Sequence, residues 1–137
     1  MSNDLRLGRH VVCNIHVHLV FVAKYRGQVF TQQILDDMQA IFETVCSKFE
    51  AQLVEFDGEC DHVHLLIIYP PKVAVSSLVN SLKGVSSRLL RKKEYPTIKK
   101  QFLWGNTLWS PSYFAGSCGG DSMDIIRQYI EQQNTPN

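Results

Sequence analysis

With 137 residues the chain can bury one hydrophobic core but not two, so a single domain over residues 1–137 is expected. Its composition, 45% hydrophobic and 20% charged with a net charge of +1, is that of a soluble globular protein, and no apolar run approaches the roughly 18 residues of a membrane helix. The polar start from Met1 to Gly8 lacks the apolar stretch of a signal peptide, so a cytoplasmic location is expected, with the scattered Cys13, Cys46, Cys60 and Cys118 as reduced thiols.

His10 to Ala23 is dense in Val, Ile, Leu and Phe and reads as a first strand, ended by a turn at Lys24-Tyr25-Arg26-Gly27. Thr31 is the expected N-cap of a helix to about Glu50, because Ile34, Leu35, Met38, Ile41, Phe42 and Val45 recur at helical spacing. Gln52 to Phe56 and Asp61 to Tyr69 read as strands two and three. The short gap between them, with a turn signal at Asp57-Gly58, predicts an antiparallel hairpin. A second helix is expected from Val75 to Lys93, striped by Leu78, Val79, Leu82, Val85, Leu89 and Leu90, with Pro96 blocking its continuation. Leu108 to Ala115 reads as a fourth strand, at an edge or bulged position because of Pro111. Gly116, Gly119 and Gly120 make a flexible connection to a last helix, capped by Asp121 or Ser122 and running to about Gln133. The expected class is α+β. The β-α-β-β-α-β order is ferredoxin-like (RRM-like), an antiparallel sheet with helices on one face, followed by an added C-terminal helix.

The charge is unevenly placed. Lys83, Arg88, Arg91, Lys92, Lys93, Lys99 and Lys100 face the single acid Glu94 over residues 83–100, and the remainder of the chain is net acidic. Such a segment suits a local contact with a polyanion, or else forms a solvated helix face.

Two histidine pairs could carry chemistry. Along a strand, residues i and i+2 share a face, so His62 and His64 can present two imidazoles to one divalent ion, with Val63 on the opposite face. Asp61 points the other way if the strand is regular. His16 and His18 repeat the spacing on the first strand, and one pair could support the other through hydrogen bonds. Cys60 with His62 and His64 is a further grouping, one that would favour zinc. On the last helix Tyr129 and Gln133 stand at i and i+4 on one face. A tyrosine beside a metal can attack a phosphodiester, and an amide oxygen can complete the metal site. Ile126, Tyr129 and Ile130 would equally serve as a docking stripe.

Taken in order, the stretches Lys24-Tyr25-Arg26, Asp61-His62-Val63-His64-Leu65-Leu66, Leu82-Lys83-Gly84, Leu108-Trp109-Ser110-Pro111-Ser112-Tyr113 and Gln128-Tyr129-Ile130-Glu131-Gln132-Gln133 resemble the single-tyrosine HUH transposases, the TnpA-type enzymes of small prokaryotic insertion sequences. Cys60 departs from the proline or other residue common before the Asp. The resemblance implies that His62, His64 and Gln133 hold Mg²⁺ or Mn²⁺, and that His18 lies outside the metal pair. It implies that Tyr129 cleaves single-stranded DNA through a 5′-phosphotyrosine link at hairpin-marked ends, and that the protein is a homodimer whose tyrosine helices complete each other's sites, with Gly116, Gly119 and Gly120 as hinge. Lys83, Arg88, Arg91 and Lys92 are the expected DNA contacts. The alternatives are a non-catalytic nucleic-acid-binding module of the same fold, a zinc hydrolase, and a domesticated transposase acting on chromosomal repeats.

Overall fold

The computed structural model describes residues 6–7, 12–13, 15–105, 107–117 and 123–133. Val12–Cys13 (β2), inside the stretch expected as one first strand, pairs instead with Arg6–Leu7 (β1), which precedes it, in a small antiparallel ladder, and the principal strand is β3 (Ile15–Val22). A 3-10 turn at Lys24–Arg26 follows, then α1 (Gln32–Lys48), β4 (Gln52–Gly58) and β5 (His62–Tyr69). The chain continues through α2 (Val75–Lys92), α3 (Pro96–Gly105), β6 (Phe114–Gly116) and α4 (Met123–Gln132). Thr31 caps α1 as expected, its hydroxyl accepting from the Ile34 amide at 3.3 Å. The expected caps Asp121 and Ser122, and the expected hinge glycines Gly119 and Gly120, lie outside the described residues.

The main sheet has the order β4-β5-β3-β6, with every pairing antiparallel. This is the ferredoxin-like arrangement, in which the first and third long strands lie side by side at the centre. Odd-numbered residues of β3 and β5 (Val17, Leu19, Phe21, Val63, Leu65, Ile67) face α1 and α2 and form the main core with Ile34, Met38, Phe42, Leu78, Leu82 and Leu90. Burial of these side chains supplies most of the driving force, at roughly 1.5–3 kcal/mol for each large apolar group. Even-numbered residues face the other way. There Val20 and Val22 pack with Ile126 and Ile130 of α4, so the sheet separates α1 and α2 from α4.

Three expectations need correction. Pro96 does not merely stop the second helix. Glu94 turns the chain at φ 58°, and Pro96 then opens α3, a helix the sequence reading missed. Proline suits a first helical position because the amide it lacks has no partner there. The fourth strand is shorter than Leu108 to Ala115. Trp109 makes one isolated bridge to Ala23, and regular pairing starts only at Phe114, beyond Pro111. Gly116 pairs with His18 inside β6, so it belongs to the sheet rather than to a hinge.

Candidate active site

The face of the sheet opposite α1 and α2 carries a row of imidazoles. In the β3–β5 register His62 pairs with Val22, His64 with Val20, and His18 with Leu66, so one step of alternation brings His18 beside His64. The His64 Nδ1 and His18 Nε2 atoms are 3.4 Å apart, and the two rings stack at 26° with centroids 5.6 Å apart. The His62 and His64 ring centroids are 5.0 Å apart. The two central strands do therefore bring histidines of both sequence pairs together, although His16 sits a further step along, opposite Ile68.

His62 is oriented from behind. Its Nδ1 lies 2.7 Å from Asp61 Oδ1, and Asp61 Oδ2 accepts from Arg26 Nε at 3.3 Å. A carboxylate can only accept, so His62 carries its proton on Nδ1 and leaves the Nε2 lone pair available. Arg26 is aimed by the turn before it, where Tyr25 and Arg26 adopt left-handed backbone at φ 61° and 52°. That geometry is unfavourable for residues with a Cβ, and here it serves to bring the guanidinium onto Asp61. Asp61 is thus no candidate ligand, as alternation implied, but the group that orients one. Its adjacency to His62 was visible in the sequence, whereas Arg26 could not be found that way.

Burial, then the neighbouring His62 and His18, pushes His64 down to about 4, against an opposing pull from Asp57. His64 is therefore a neutral imidazole near pH 7, the form that donates a lone pair to a metal. Among the described residues no three His, Cys, Asp or Glu side chains group to hold a metal ion, and Cys60 is exposed. The zinc grouping of Cys60 with His62 and His64 is not assembled.

Tyr129 on α4 and Gln133, the residue just past its end, meet the same serine segment. Val20 and Val22, which cluster with Ile126 and Ile130, are the cross-strand partners of His64 and His62, so the tyrosine helix docks beside the imidazole row of its own chain. Ser110 Oγ donates to Gln133 Oε1 at 2.8 Å and Ser112 Oγ donates to it at 3.1 Å. The Ser112 hydroxyl also meets the Tyr129 hydroxyl at 2.9 Å, a contact in which either oxygen can donate. Burial raises the Tyr129 pKa, and the Ser112 contact opposes it, so the phenol is protonated at neutral pH. The two serines belong to a segment already singled out in the sequence, but their contacts with Tyr129 and Gln133 were not foreseen.

The residues expected to contact DNA separate into two places. Lys83, half-buried over the Phe21 ring, points its ammonium at the backbone of this serine segment and donates to the Ser110 carbonyl at 2.7 Å and the Ser112 carbonyl at 2.8 Å. One turn later on α2, the buried Ser86 hydroxyl accepts from the Trp109 indole at 3.0 Å. Arg88, Arg91 and Lys92 instead line a groove of about 930 Å³ between α2 and α3, together with Gly84, Lys99, Phe102 and the exposed Leu103. The Arg91 guanidinium lies 4.3 Å from the Phe102 ring centroid, which leaves a flat cation on an aromatic platform.

Comparison with known proteins identifies the family. Residues 11–133 match the family model described as "Transposase IS200 like". The chain is 32% identical over 131 residues to the ISDra2 transposase TnpA of Deinococcus radiodurans, covering 96% of this chain and 92% of that one. It is 30% identical over 124 residues to the transposase for insertion sequence element IS200 of Salmonella typhimurium, covering 90% of this chain and 80% of that one. A crystal structure of a candidate transposase from Deinococcus radiodurans R1 superposes with a TM-score of 0.86 at 31% identity, covering 96% of this chain and 99% of the other. A REP-associated tyrosine transposase bound to a REP hairpin shares the fold at 15% identity and a TM-score of 0.50, covering 96% of this chain and 69% of that one. A sheet that sets a docked tyrosine beside paired imidazoles, in a chain matched almost end to end, belongs to the IS200-like transposase family.

Proposed function

We propose that this transposase cleaves and rejoins single-stranded DNA with Tyr129 as nucleophile. The observation that carries the reading is the docking of α4: Ile126 and Ile130 cluster with Val20 and Val22, the strand partners of His64 and His62, and Tyr129 packs against that cluster. The Tyr129 oxygen forms a bond to phosphorus as the bond from phosphorus to the 3′-oxygen breaks. The DNA is left as a 5′-phosphotyrosine and a free 3′-hydroxyl; the phenol gives up one proton and the departing 3′-oxygen takes one up, so the step releases no net proton. Because the link conserves the phosphodiester bond energy, the reverse attack by a 3′-hydroxyl rejoins strands without ATP.

The donor set fits a divalent ion, Mg²⁺ or Mn²⁺, on His62 and His64. His62 is held in the tautomer with Nε2 free, and His64 is neutral. Gln133 would join them by exchanging one of its two serine hydroxyls for the ion. Such an ion, when bound, supplies Lewis-acid polarisation of the scissile phosphate. The α2–α3 groove offers Arg88, Arg91 and Lys92 to the DNA backbone, and Phe102 to an unstacked base. A distant relative by fold was solved on a REP hairpin, so this architecture can carry the hairpin-marked ends proposed as substrate. Action as a homodimer, located in the cytoplasm, completes the reading.

The test incubates the protein with Mg²⁺ and labelled single-stranded oligonucleotides spanning the DNA that flanks its gene. A covalent adduct on denaturing gels that requires metal and disappears in Tyr129→Phe is the expected result. Binding of flank-spanning hairpins with no adduct would instead favour a non-catalytic module with Tyr129 as a packing residue.

A further inference from the structure

The segment from Trp109 to Ser112 is gripped from both layers of the molecule. From the α2 side come Lys83, on the carbonyls of Ser110 and Ser112, and Ser86, on the Trp109 indole. From β3 comes the Val22 carbonyl, which accepts from the Ser110 amide at 2.8 Å. From α4 come Tyr129 and Gln133, on the two serine hydroxyls. Backbone pairing here is limited to the Ala23–Trp109 bridge and the Ser110 amide, and regular pairing starts only at Phe114, beyond Pro111. The carbonyls of Ser110 and Ser112 are met by side-chain contacts instead. Lys83 makes two of them with one group, and its ammonium is flanked by the Phe21 and Tyr113 rings, with centroids at 5.4 and 5.6 Å.

We propose that Lys83 is a positioning residue for the nucleophile: by holding the Ser110 and Ser112 carbonyls from the α2 side, it fixes the two hydroxyls that orient Tyr129 and Gln133 on the other. This rests on the reading of Tyr129 as nucleophile given above. It assigns Lys83 a role different from phosphate contact, which its place in the basic run suggests. A lysine on DNA sets affinity and its salt dependence. A lysine behind the serines sets the rate of the bound complex, because a small displacement of a reacting group costs far more in rate than in binding.

The experiment compares Lys83→Met, Lys83→Gln, Ser112→Ala and the Lys83→Met/Ser112→Ala double variant, each checked for folding by circular dichroism. Single-turnover adduct formation is measured at saturating flank-derived oligonucleotide, alongside the dissociation constant of the same oligonucleotide at several salt concentrations. The expected result is a saturating rate lowered about tenfold to a hundredfold in each single variant, with affinity and salt slope unchanged. The double variant should be little worse than either single, since both changes act on one chain of contacts. A weaker dissociation constant and shallower salt slope with an unchanged saturating rate would make Lys83 a phosphate contact and overturn the proposal, as would wild-type behaviour in both lysine variants. Carbon-13 NMR of tyrosines labelled at Cζ supplies a readout independent of turnover. The Tyr129 signal, assigned by its loss in Tyr129→Phe, should move in each single variant, and an unmoved signal overturns the proposal. If wild-type protein forms no adduct, the nucleophile reading fails separately, and the NMR signal still decides whether Lys83 positions Tyr129.

Discussion

Replacing Asp61 with Asn isolates the orienting contact behind His62 without altering its shape. The native carboxylate accepts from two donors at once, His62 Nδ1 at 2.7 Å and Arg26 Nε at 3.3 Å. An amide has one accepting oxygen and one donating nitrogen, so it can serve only one of the two. If its oxygen faces Arg26, its NH₂ group faces His62 and favours the tautomer with the proton on Nε2, which masks the lone pair a metal needs. If its oxygen faces His62, the remaining hydrogen bond is neutral at the acceptor and about half as strong, and the NH₂ group opposes Arg26. Loss of a charge-assisted bond is worth about 1.5–3 kcal/mol. Converted at 1.4 kcal/mol per decade, this predicts a drop in Mn²⁺ affinity of about 10–100-fold, the range typical for groups that orient a ligating histidine. Free Mn²⁺ can be counted by electron paramagnetic resonance during a titration. Thermal melting should show a loss of stability of only about 1–2 kcal/mol, because Arg26 is 33% exposed and water can take over its contact. An Asp61→Asn protein that binds Mn²⁺ within about twofold of the wild type would refute the orienting role and the choice of His62 Nε2 as donor.

Other outcomes follow from neighbouring features. Gly84→Ala should stabilise the protein by about 0.5–1 kcal/mol in urea denaturation, since an added Cβ meets nothing within 4 Å and the site is inside α2. Cys60→Ser should leave Mn²⁺ affinity unchanged, and any loss on that substitution would revive the zinc grouping. Arg88→Ala and Arg91→Ala should each weaken binding of single-stranded DNA and shift its logarithmic salt slope by about 0.7, read from anisotropy at several salt concentrations. Burial holds Lys83 down to about 8, against 10.5 for an ordinary lysine, so between those values the unfolded chain binds more protons than the folded one. Stability should therefore be lower at pH 7 and recover as pH rises from 8 towards 10.5. After allowance for the solvent reaching this half-exposed group the gain is about 1 kcal/mol, and melting curves of Lys83→Met should lack it.

The two central strands were legible because their alternation is strict and their apolar face is continuous. Val17, Leu19 and Phe21 against Val63, Leu65 and Ile67 leave one register that buries every member, and that register sets His62 and His64 on the outer face. The α4 stripe was legible for the same reason: Ile126 and Ile130 dock the helix and carry Tyr129 with them, so the packing and the chemical readings of that stripe are compatible. What escaped was set by single residues acting on backbone. Pro96 is a stop signal in one context and an opening residue in another, and the choice depends on Glu94 taking a left-handed turn that no periodicity reports. Gly116 fell in a cluster of glycines, yet a strand edge needs only its amide and carbonyl, which glycine supplies as well as any residue.

Lys83 marks the limit most clearly. In the linear chain it opens a run of like charges and is indistinguishable from Arg88 or Lys92. The fold divides them: Lys83 turns to the Ser110–Ser112 backbone, while Arg88, Arg91 and Lys92 line the groove toward α3. The decisive fact is tertiary: a proline-broken edge segment leaves two carbonyls without ladder partners at the height of the Lys83 ammonium, and carbonyls in that state must find a donor. Basic residues in this chain thus fall into two separate settings. Those over the α2–α3 groove line an open surface, and the one facing the sheet edge is bound to its own backbone, beside the serines that contact Tyr129 and Gln133.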